Sequence, residues 1–514
     1  MKYPIGIQNF ESLRNDGFIY VVKTDRIYRL ADEGRYYFLS RPRRFGKSLL
    51  LSTMRAYFEG KRELFDGLAL ARLENEWTAY PVLYLDLNVE KYDTIESLIA
   101  RLNKSLSEWE ELYVSRPDKT QPLAMRFEDV IRSAARNTGK RVVILVDEYD
   151  KPMLSAIGND ELQSAFRNEL KAFYGNLKSC DEFIRFAFLT GVTKFGKVSV
   201  FSDLNHLTDL TMDMRYADIC GITEEELRRY FDEGVRLLAD GNGMTKDDCY
   251  ARLKRDFDGY HFYPDAPGMY NPFSLLNTIG RGQFGDYWFE TGTPTFLVKQ
   301  LQKTDYPLDE MTHEGLTADI LGSIDIMDHN PLPLLFQSGY LTIKSYDERF
   351  GEYHLGFPNR EVEEGFTKFL YPAYTPVVRD RSDFSMRSFV REVERGNAEG
   401  FVRRLTAMFA DGDYRVVGNR EIYFQNTLYV FFKLLGFYVE TERHTSDGRM
   451  DVLMQTSDYI YIIELKVDQT ADAAMQQIEK RHYADPFAAD PRRLFKIGLN
   501  FNSQTRKIDD WQVV

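Results

Sequence analysis

Ser40-Arg41-Pro42-Arg43-Arg44-Phe45-Gly46-Lys47-Ser48 decides how the N-terminal part of this chain folds. An apolar run, Tyr36-Tyr37-Phe38-Leu39, precedes it, and Leu50, Met54, Tyr57 and Phe58 recur after it at helical spacing until Gly60. A strand, a loop ending in Gly-Lys-Ser and then a helix make the setting of a phosphate-binding loop. Backbone N–H groups and the helix start meet phosphate oxygens, a lysine reaches the outer phosphates, and a serine hydroxyl ligates Mg²⁺. Lys47 and Ser48 suit those last two roles. Arg41 stands where such loops usually carry their first glycine, so the bare pattern also fits a helix that merely begins with Gly-Lys-Ser.

The surroundings favour the first reading. Pro81-Val82-Leu83-Tyr84-Leu85-Asp86-Leu87 reads as a buried strand, and an amphipathic helix follows over 95–106. Arg141-Val142-Val143-Ile144-Leu145-Val146-Asp147-Glu148 is a β-branched run ending in two carboxylates, and Phe183-Ile184-Arg185-Phe186-Ala187-Phe188-Leu189-Thr190-Gly191 is a further strand. Strands alternating with helices predict an α/β domain whose parallel sheet is covered by helices on both faces. Asp147 then reaches the carboxyl edge of the sheet, where it can hold Mg²⁺ opposite Ser48, and Glu148 can polarise a water. Thr190, Thr193 or Lys194 can sense the γ-phosphate, although a capped strand end explains each equally well. The lead-in predicts a turn at Asn15-Asp16-Gly17 and a short strand over 18–22.

At 514 residues, with 43% apolar and 28% charged residues, the chain is long enough for about three soluble domains. No apolar run nears the roughly 18 residues of a membrane span, and the N-terminus lacks a signal core. Cys180, Cys220 and Cys249 show no metal-ligand spacing, so a reducing cytoplasm with buried thiols is expected. A net charge of −13 disfavours a broad grip on nucleic acid but not a local basic cleft. Arg41, Arg43, Arg44 and Lys47 form one basic cluster, and which arginine compensates triphosphate charge is open at this level.

Downstream, Gly221-Ile222-Thr223-Glu224-Glu225-Glu226 begins a helix with a capping box, Thr223 against Glu226. Asn271-Pro272 opens another helix over 273–279. Near the C-terminus, residues 421–435 form an apolar-rich helix and 437–440 a strand. Gly448-Arg449-Met450-Asp451-Val452-Leu453-Met454 and Tyr459-Ile460-Tyr461-Ile462-Ile463-Glu464-Leu465-Lys466 form a hairpin. Period-2 geometry puts Glu464 and Lys466 on one face, where Asp451 can meet them. Two carboxylates with a lysine beside them suit Mg²⁺ and phosphodiester chemistry, Lys466 orienting the nucleophile.

The stretch over 37–48, with Glu59-Gly60-Lys61-Arg62-Glu63-Leu64-Phe65, Val146-Asp147-Glu148-Tyr149-Asp150 and Leu189-Thr190-Gly191-Val192, resembles bacterial AAA-ATPase-like proteins. In that family Arg-Pro-Arg-Arg-Phe replaces the glycine-rich loop start. Val22 departs from it, since the family tends to carry Asp there. Asp451, Glu464 and Lys466, followed by helical Ala474-Met475-Gln476-Gln477-Ile478, are similar to the PD-(D/E)XK nuclease motif. The resemblance implies Glu421, with Glu442 as the weaker alternative, as the upstream helical acid, and Gln476 as the downstream glutamine.

Together these imply a P-loop NTPase domain over 1–220, a helical or winged-helix-like connector over 221–384, and a restriction-endonuclease-like α/β domain over 385–514. The candidate nucleotide contacts are Arg43, Arg44, Phe45, Gly46, Lys47, Ser48 and Leu49, with Asp147 and Thr190. The expected cofactors are ATP and Mg²⁺. The expected partner is nucleic acid, DNA ahead of RNA, with no membrane. From Arg420 onward acids still outnumber bases, so productive DNA binding draws on the connector, an oligomer of this chain or another protein. Two further readings stand beside the nuclease: a signalling or scaffolding NTPase whose C-terminal domain binds without cutting, and a module that binds ATP without hydrolysing it.

Overall fold

The computed structural model describes all residues except 1, 89, 195–205, 290–294, 323–329, 376–381, 411–419, 447–448 and 506, and omits the side chains of 295–296, 382–384, 410, 420–421, 423–424, 441–446 and 449–451. The chain forms two compact units: Met1–Thr293 with Thr312–Val362, and Pro294–Met311 with Glu363–Val514.

The first unit is built on five parallel strands, β1 (Tyr36–Ser40), β2 (Val82–Asp86), β3 (Val142–Asp147), β4 (Ile184–Gly191) and β5 (Thr208–Asp209), in the order β2-β3-β4-β1-β5. Every residue of β1 and β3 is buried. That burial requires cover on both faces, which is why these strands are continuous apolar runs rather than alternating ones. Helices Lys47–Phe58, Ile95–Tyr113, Leu123–Thr138 and Asp160–Tyr174 intervene between the strands. The helix expected over 95–106 runs on to Tyr113 because Trp109 and Glu110 are buried as well. Because the strands are parallel, the ends of β1, β3 and β4 lie at one edge. The sequence order reverses around β1, and crevices at such reversals are where α/β sheets bind ligands.

The expected strand over 18–22 is absent: the segment is irregular, Ile19 N–H donates to Lys2 O at 3.0 Å, and a helix already starts at Thr24. Apolar side chains there are half-buried without a sheet edge to pair with.

Beyond the sheet, the same unit pairs β6 (Ile222–Thr223) with β7 (Met269–Tyr270). Helix Glu224–Gly241 starts with the full capping box of Thr223 and Glu226, and Asn271 caps Pro272–Arg281. A second antiparallel sheet has the order β8-β10-β9, from β8 (Gly315–Thr317), β9 (Thr342–Asp347) and β10 (Glu352–Gly356). Short helices Ala318–Leu321 and Leu332–Gln337 lie between β8 and β9. A strand, two helices and a hairpin is the winged-helix-like order.

The second unit carries a mixed sheet, β11 (Glu440–Ser446), β12 (Arg449–Gln455), β13 (Tyr459–Val467), β14 (Arg493–Asn502) and β15 (Lys507–Val513), in sequence order. Only β13 and β14 run parallel, joined through helix Ala471–Lys480. The expected strand over 437–440 begins only at Glu440, because 436–438 turn after helix Arg420–Leu435. Asn426, buried in that helix, accepts from Leu308 N–H and donates to Tyr306 O, both at 2.8 Å, so 294–311 is stitched into this unit. Among the described residues no helix is long and apolar enough to cross a membrane, and the three cysteines are buried and free.

Candidate nucleotide and metal sites

Gly46 stands at φ 91 as the cap of helix Lys47–Phe58, and only glycine adopts that backbone without strain. A helix that starts here leaves its first N–H groups without partners inside the helix. Lys47 is 4% exposed; its Nζ donates to Arg41 O at 3.0 Å and Pro42 O at 3.2 Å, and pairs with Glu148 at 3.2 Å. Glu148 itself holds a left-handed φ of 53, a conformation that costs a non-glycine residue about 1–3 kcal/mol and persists only where its surroundings enforce it.

Asp147, at the end of β3, accepts from Thr190 Oγ1 at 2.8 Å, and the nearby Ser48 hydroxyl favours its charged form. β4 lies between β3 and β1, and the Arg41 N–H donates to Gly191 O at 3.2 Å, so the residue after Thr190 ties this strand end to the loop. Burial, and then the charge of Glu148, raise the Asp147 pKa. Tyr84 on β2 stands near the same carboxylate, and burial followed by the Asp147 charge pushes its pKa up. A buried carboxylate ringed by hydroxyls and neighbouring a lysine fits a magnesium–triphosphate group, since Mg²⁺ asks for few protein oxygens and keeps its waters.

The basic cluster divides. Arg41 is 1% exposed, donates to the carbonyls of Ser40, Thr211 and Tyr216, and stacks 3.9 Å over Phe262. Burial lowers its pKa to about 10. It braces the loop, which explains how the loop keeps its shape without a first glycine. Arg43 and Arg44 are exposed, Arg44 lying 4.7 Å from the Phe273 ring. The Phe45 side chain is buried against Tyr260 and Phe262, leaving only its backbone to face a ligand. Leu49 is half-buried in the first helical turn.

Asp150 was not among the sequence candidates, although it closes the quoted stretch at 146–150. It is fully buried and accepts from Val192 N–H, Thr193 N–H and the Thr193 hydroxyl. Burial, reinforced by Glu148, raises its pKa to about 6. Gly191 is glycine because a Cβ there would come within 2.7 Å of the Asp150 carboxylate and the Tyr149 ring.

In the second unit, register places Asp451 directly opposite Glu464, positions that share a face of an antiparallel pair. Glu464 is fully buried and Lys466 is 4% exposed, and Lys466 Nζ donates to Glu464 Oε1 at 2.6 Å. The amine's other partner is Gln477 Oε1, also at 2.6 Å. The expected Gln476 is not brought to this cluster: it is exposed, and its Nε2 donates to Asp472 at 2.7 Å. Helix Ala471–Lys480 buries Ala471, Ala474 and Ile478, and that phase puts residue 477 at the flank of the buried face and 476 outside it. Gly448 and the side chains of Asp451, Glu421 and Glu442 lie outside the described residues, and Glu421 occupies the first turn of Arg420–Leu435. Glu464 offers a buried carboxylate of the oxygen type that hard cations take, and the Lys466 ammonium offsets its charge.

Residues 4–201 match a family model described as "Predicted AAA-ATPase", and residues 419–511 match the PD-(D/E)XK nuclease superfamily. A relative from Azotobacter chroococcum mcd 1, described as "Uncharacterized protein in vnfD 5'region", is 34% identical over 525 residues, covering 99% of this chain and 98% of its own length. Two family models in the two places where the buried lysines sit, with a relative aligned from end to end, identify the architecture. The chain belongs to the family of predicted AAA-ATPases that carry a PD-(D/E)XK nuclease-superfamily domain at the C-terminus.

Proposed function

We propose that this protein binds and hydrolyses ATP and uses that cycle to control a phosphodiesterase acting on nucleic acid, DNA ahead of RNA. The observation that carries the reading is the convergence of Lys47, Ser48, Asp147, Glu148 and Thr190 at one edge of the parallel sheet. In this reading the N–H groups at 45–49 receive phosphate oxygens, and Arg43 and Arg44 offset charge from outside. Lys47 spans from the loop carbonyls to the outer phosphates, Glu148 takes a proton from the attacking water, and Thr190 fixes the rotamer of Asp147. Ser48 and Asp147 in one unit, and Asp451 and Glu464 in the other, would hold Mg²⁺, which when bound offsets phosphate charge and acidifies water. Lys466, held by Glu464 and Gln477, orients the nucleophile, and Glu421 supplies a further acid. The stretches over 1–220, 221–384 and 385–514 would divide the work into switch, connector and cleavage, the middle one being shared between the two compact units.

The test is cleavage of plasmid and oligonucleotide substrates by purified protein with Mg²⁺, with and without ATP, beside Lys47→Ala and Lys466→Ala. Cleavage lost in the second variant and made nucleotide-independent in the first is expected. No cleavage under any condition, or cleavage indifferent to Lys466, would remove the phosphodiesterase.

A further inference from the structure

Residues 190–194, at and just beyond the end of β4, are held from several directions by hydrogen bonds. Thr190 Oγ1 donates to Asp147 at 2.8 Å, and Thr190 O accepts Tyr149 N–H at 2.9 Å. Val192 N–H and Thr193 N–H donate to Asp150 Oδ2 at 3.0 and 2.6 Å, and Thr193 O accepts the Tyr149 hydroxyl at 2.9 Å. All these partners lie at or just after the end of β3. Lys194 is tied elsewhere: its N–H donates to Gln337 Oε1 at 2.6 Å, 143 residues downstream.

Gln337 ends helix Leu332–Gln337 and is 5% exposed. Its other head, Nε2, donates to Leu321 O at 2.6 Å, at the end of helix Ala318–Leu321. Two residues on, Gly339 packs so tightly on the phosphate loop that a Cβ would lie 2.6 Å from Pro42 Cβ. One turn of the winged-helix-like segment therefore touches both walls of the nucleotide site. A buried amide engaged at both ends cannot let Lys194 shift alone, since either the Lys194 N–H or the Leu321 carbonyl would be left buried and unpaired. Displacement at the end of β4 must move the helices with it.

We propose that Gln337 is a positioning residue of the nucleotide site, fixing the segment after β4 and carrying its displacement into helices Ala318–Leu321 and Leu332–Gln337. This rests on the nucleotide reading above and deepens it, because it names the residue through which occupancy leaves the parallel-sheet part of the unit. No step of hydrolysis is needed for the coupling; binding of ATP with Mg²⁺ suffices.

The experiment is amide hydrogen exchange on the full chain, with and without Mg²⁺ and a non-hydrolysable ATP analogue. In the parent, exchange slows at 45–50 and, at least fivefold, at 318–321 and 334–337. In Gln337→Met, which keeps the volume and loses both hydrogen bonds, protection at 45–50 persists and protection of the two helices disappears. Gln337→Glu keeps an acceptor for Lys194 N–H and loses the donor to Leu321 O, so it retains protection at 194 and loses it at 318–321. Helix protection that survives in both variants, or that never appears in the parent while the loop is protected, overturns the proposal. Loss of loop protection in both variants also overturns it, because Gln337 is then scaffold alone. A parent whose loop is not protected at any analogue concentration instead overturns the nucleotide reading on which the proposal rests.

Discussion

Lys466 and Glu464 form an ion pair with almost no solvent, so charge compensation by the lysine and the chemistry proposed for it need separate tests. Removing one partner of a buried pair leaves an uncompensated charge and costs about 3–5 kcal/mol, whereas replacing both is often nearly neutral. Lys466→Ala is therefore expected to lower unfolding free energy by ~3 kcal/mol in urea titrations, while Glu464→Gln with Lys466→Met returns within ~1 kcal/mol of the parent. Both should be inactive on nucleic acid. A double variant that recovers cleavage along with stability would show that the lysine only keeps the carboxylate folded. At the other site, Glu148→Gln keeps the size of the side chain and discards its basicity. Nucleotide affinity is expected to hold within about threefold while turnover falls about 100-fold, the low end of what a general base supplies. The charged residues themselves were legible in the sequence because strand-end carboxylates and a Gly-Lys-Ser turn are rare in combination. Arg41 was not, since only its carbonyl partners across 170 and 175 residues reveal a brace rather than a phosphate ligand.

Elements placed by periodicity came out at nearly the expected positions wherever burial on both faces left no alternative, as in β1, β3 and β4. Failures fall where an apolar run had no neighbour to pair with, as at 18–22, or where a turn delayed a strand, as before β11. Helix phase decides the glutamine: Ala471, Ala474 and Ile478 are buried, and their spacing in the sequence points to Gln477 rather than Gln476. Close packing between elements gives a further test. In Gly191→Ala the new methyl meets the Tyr149 ring and the Asp150 carboxylate, and overpacking of that kind costs about 1–3 kcal/mol. Thermal melting should fall accordingly, and nucleotide turnover should fall with it, because the clamp on 192–193 must open. Glu361 joins three elements, accepting from the Ser274 hydroxyl and the Trp288 N–H, both at 3.0 Å. Burial raises its pKa from 4.5 to about 7. The folded carboxyl holds its proton more tightly than the unfolded one, so its stabilising contribution is full below about pH 4.5 and is lost as pH rises toward 7. Stability of the parent relative to Glu361→Gln is expected to fall across that window, by up to ~1.4 kcal/mol per pH unit. A flat difference would mean that the carboxyl is already ionised at the bottom of the window.

At the scale of the molecule, the second unit is discontinuous in sequence, drawing Pro294–Met311 from the middle of the chain. No sequence pattern announced this, because the signal is a pair of hydrogen bonds from Asn426 to residues 306 and 308 rather than a motif. A fragment of 363–514 alone leaves the buried Asn426 amide without both partners. It is expected to be less stable than the same fragment with 294–311 joined to it, by about 2–6 kcal/mol in urea titrations, at about 1–3 kcal/mol for each unsatisfied group. Equal midpoints for the two fragments would show that 294–311 is dispensable.

The interruption also sets an order of events on the ribosome. Domains tend to complete themselves as they emerge, N-terminal parts first. The unit holding Lys47 and Asp147 has all its residues once Val362 is made, while Pro294–Met311 must wait for helix Arg420–Leu435, and β14 pairs with β15 only once Val513 is made. A nascent chain thus completes the unit that holds Lys47 and Asp147 about a hundred residues before Glu464 and Lys466 are made, so the two buried lysines enter folded surroundings at different times.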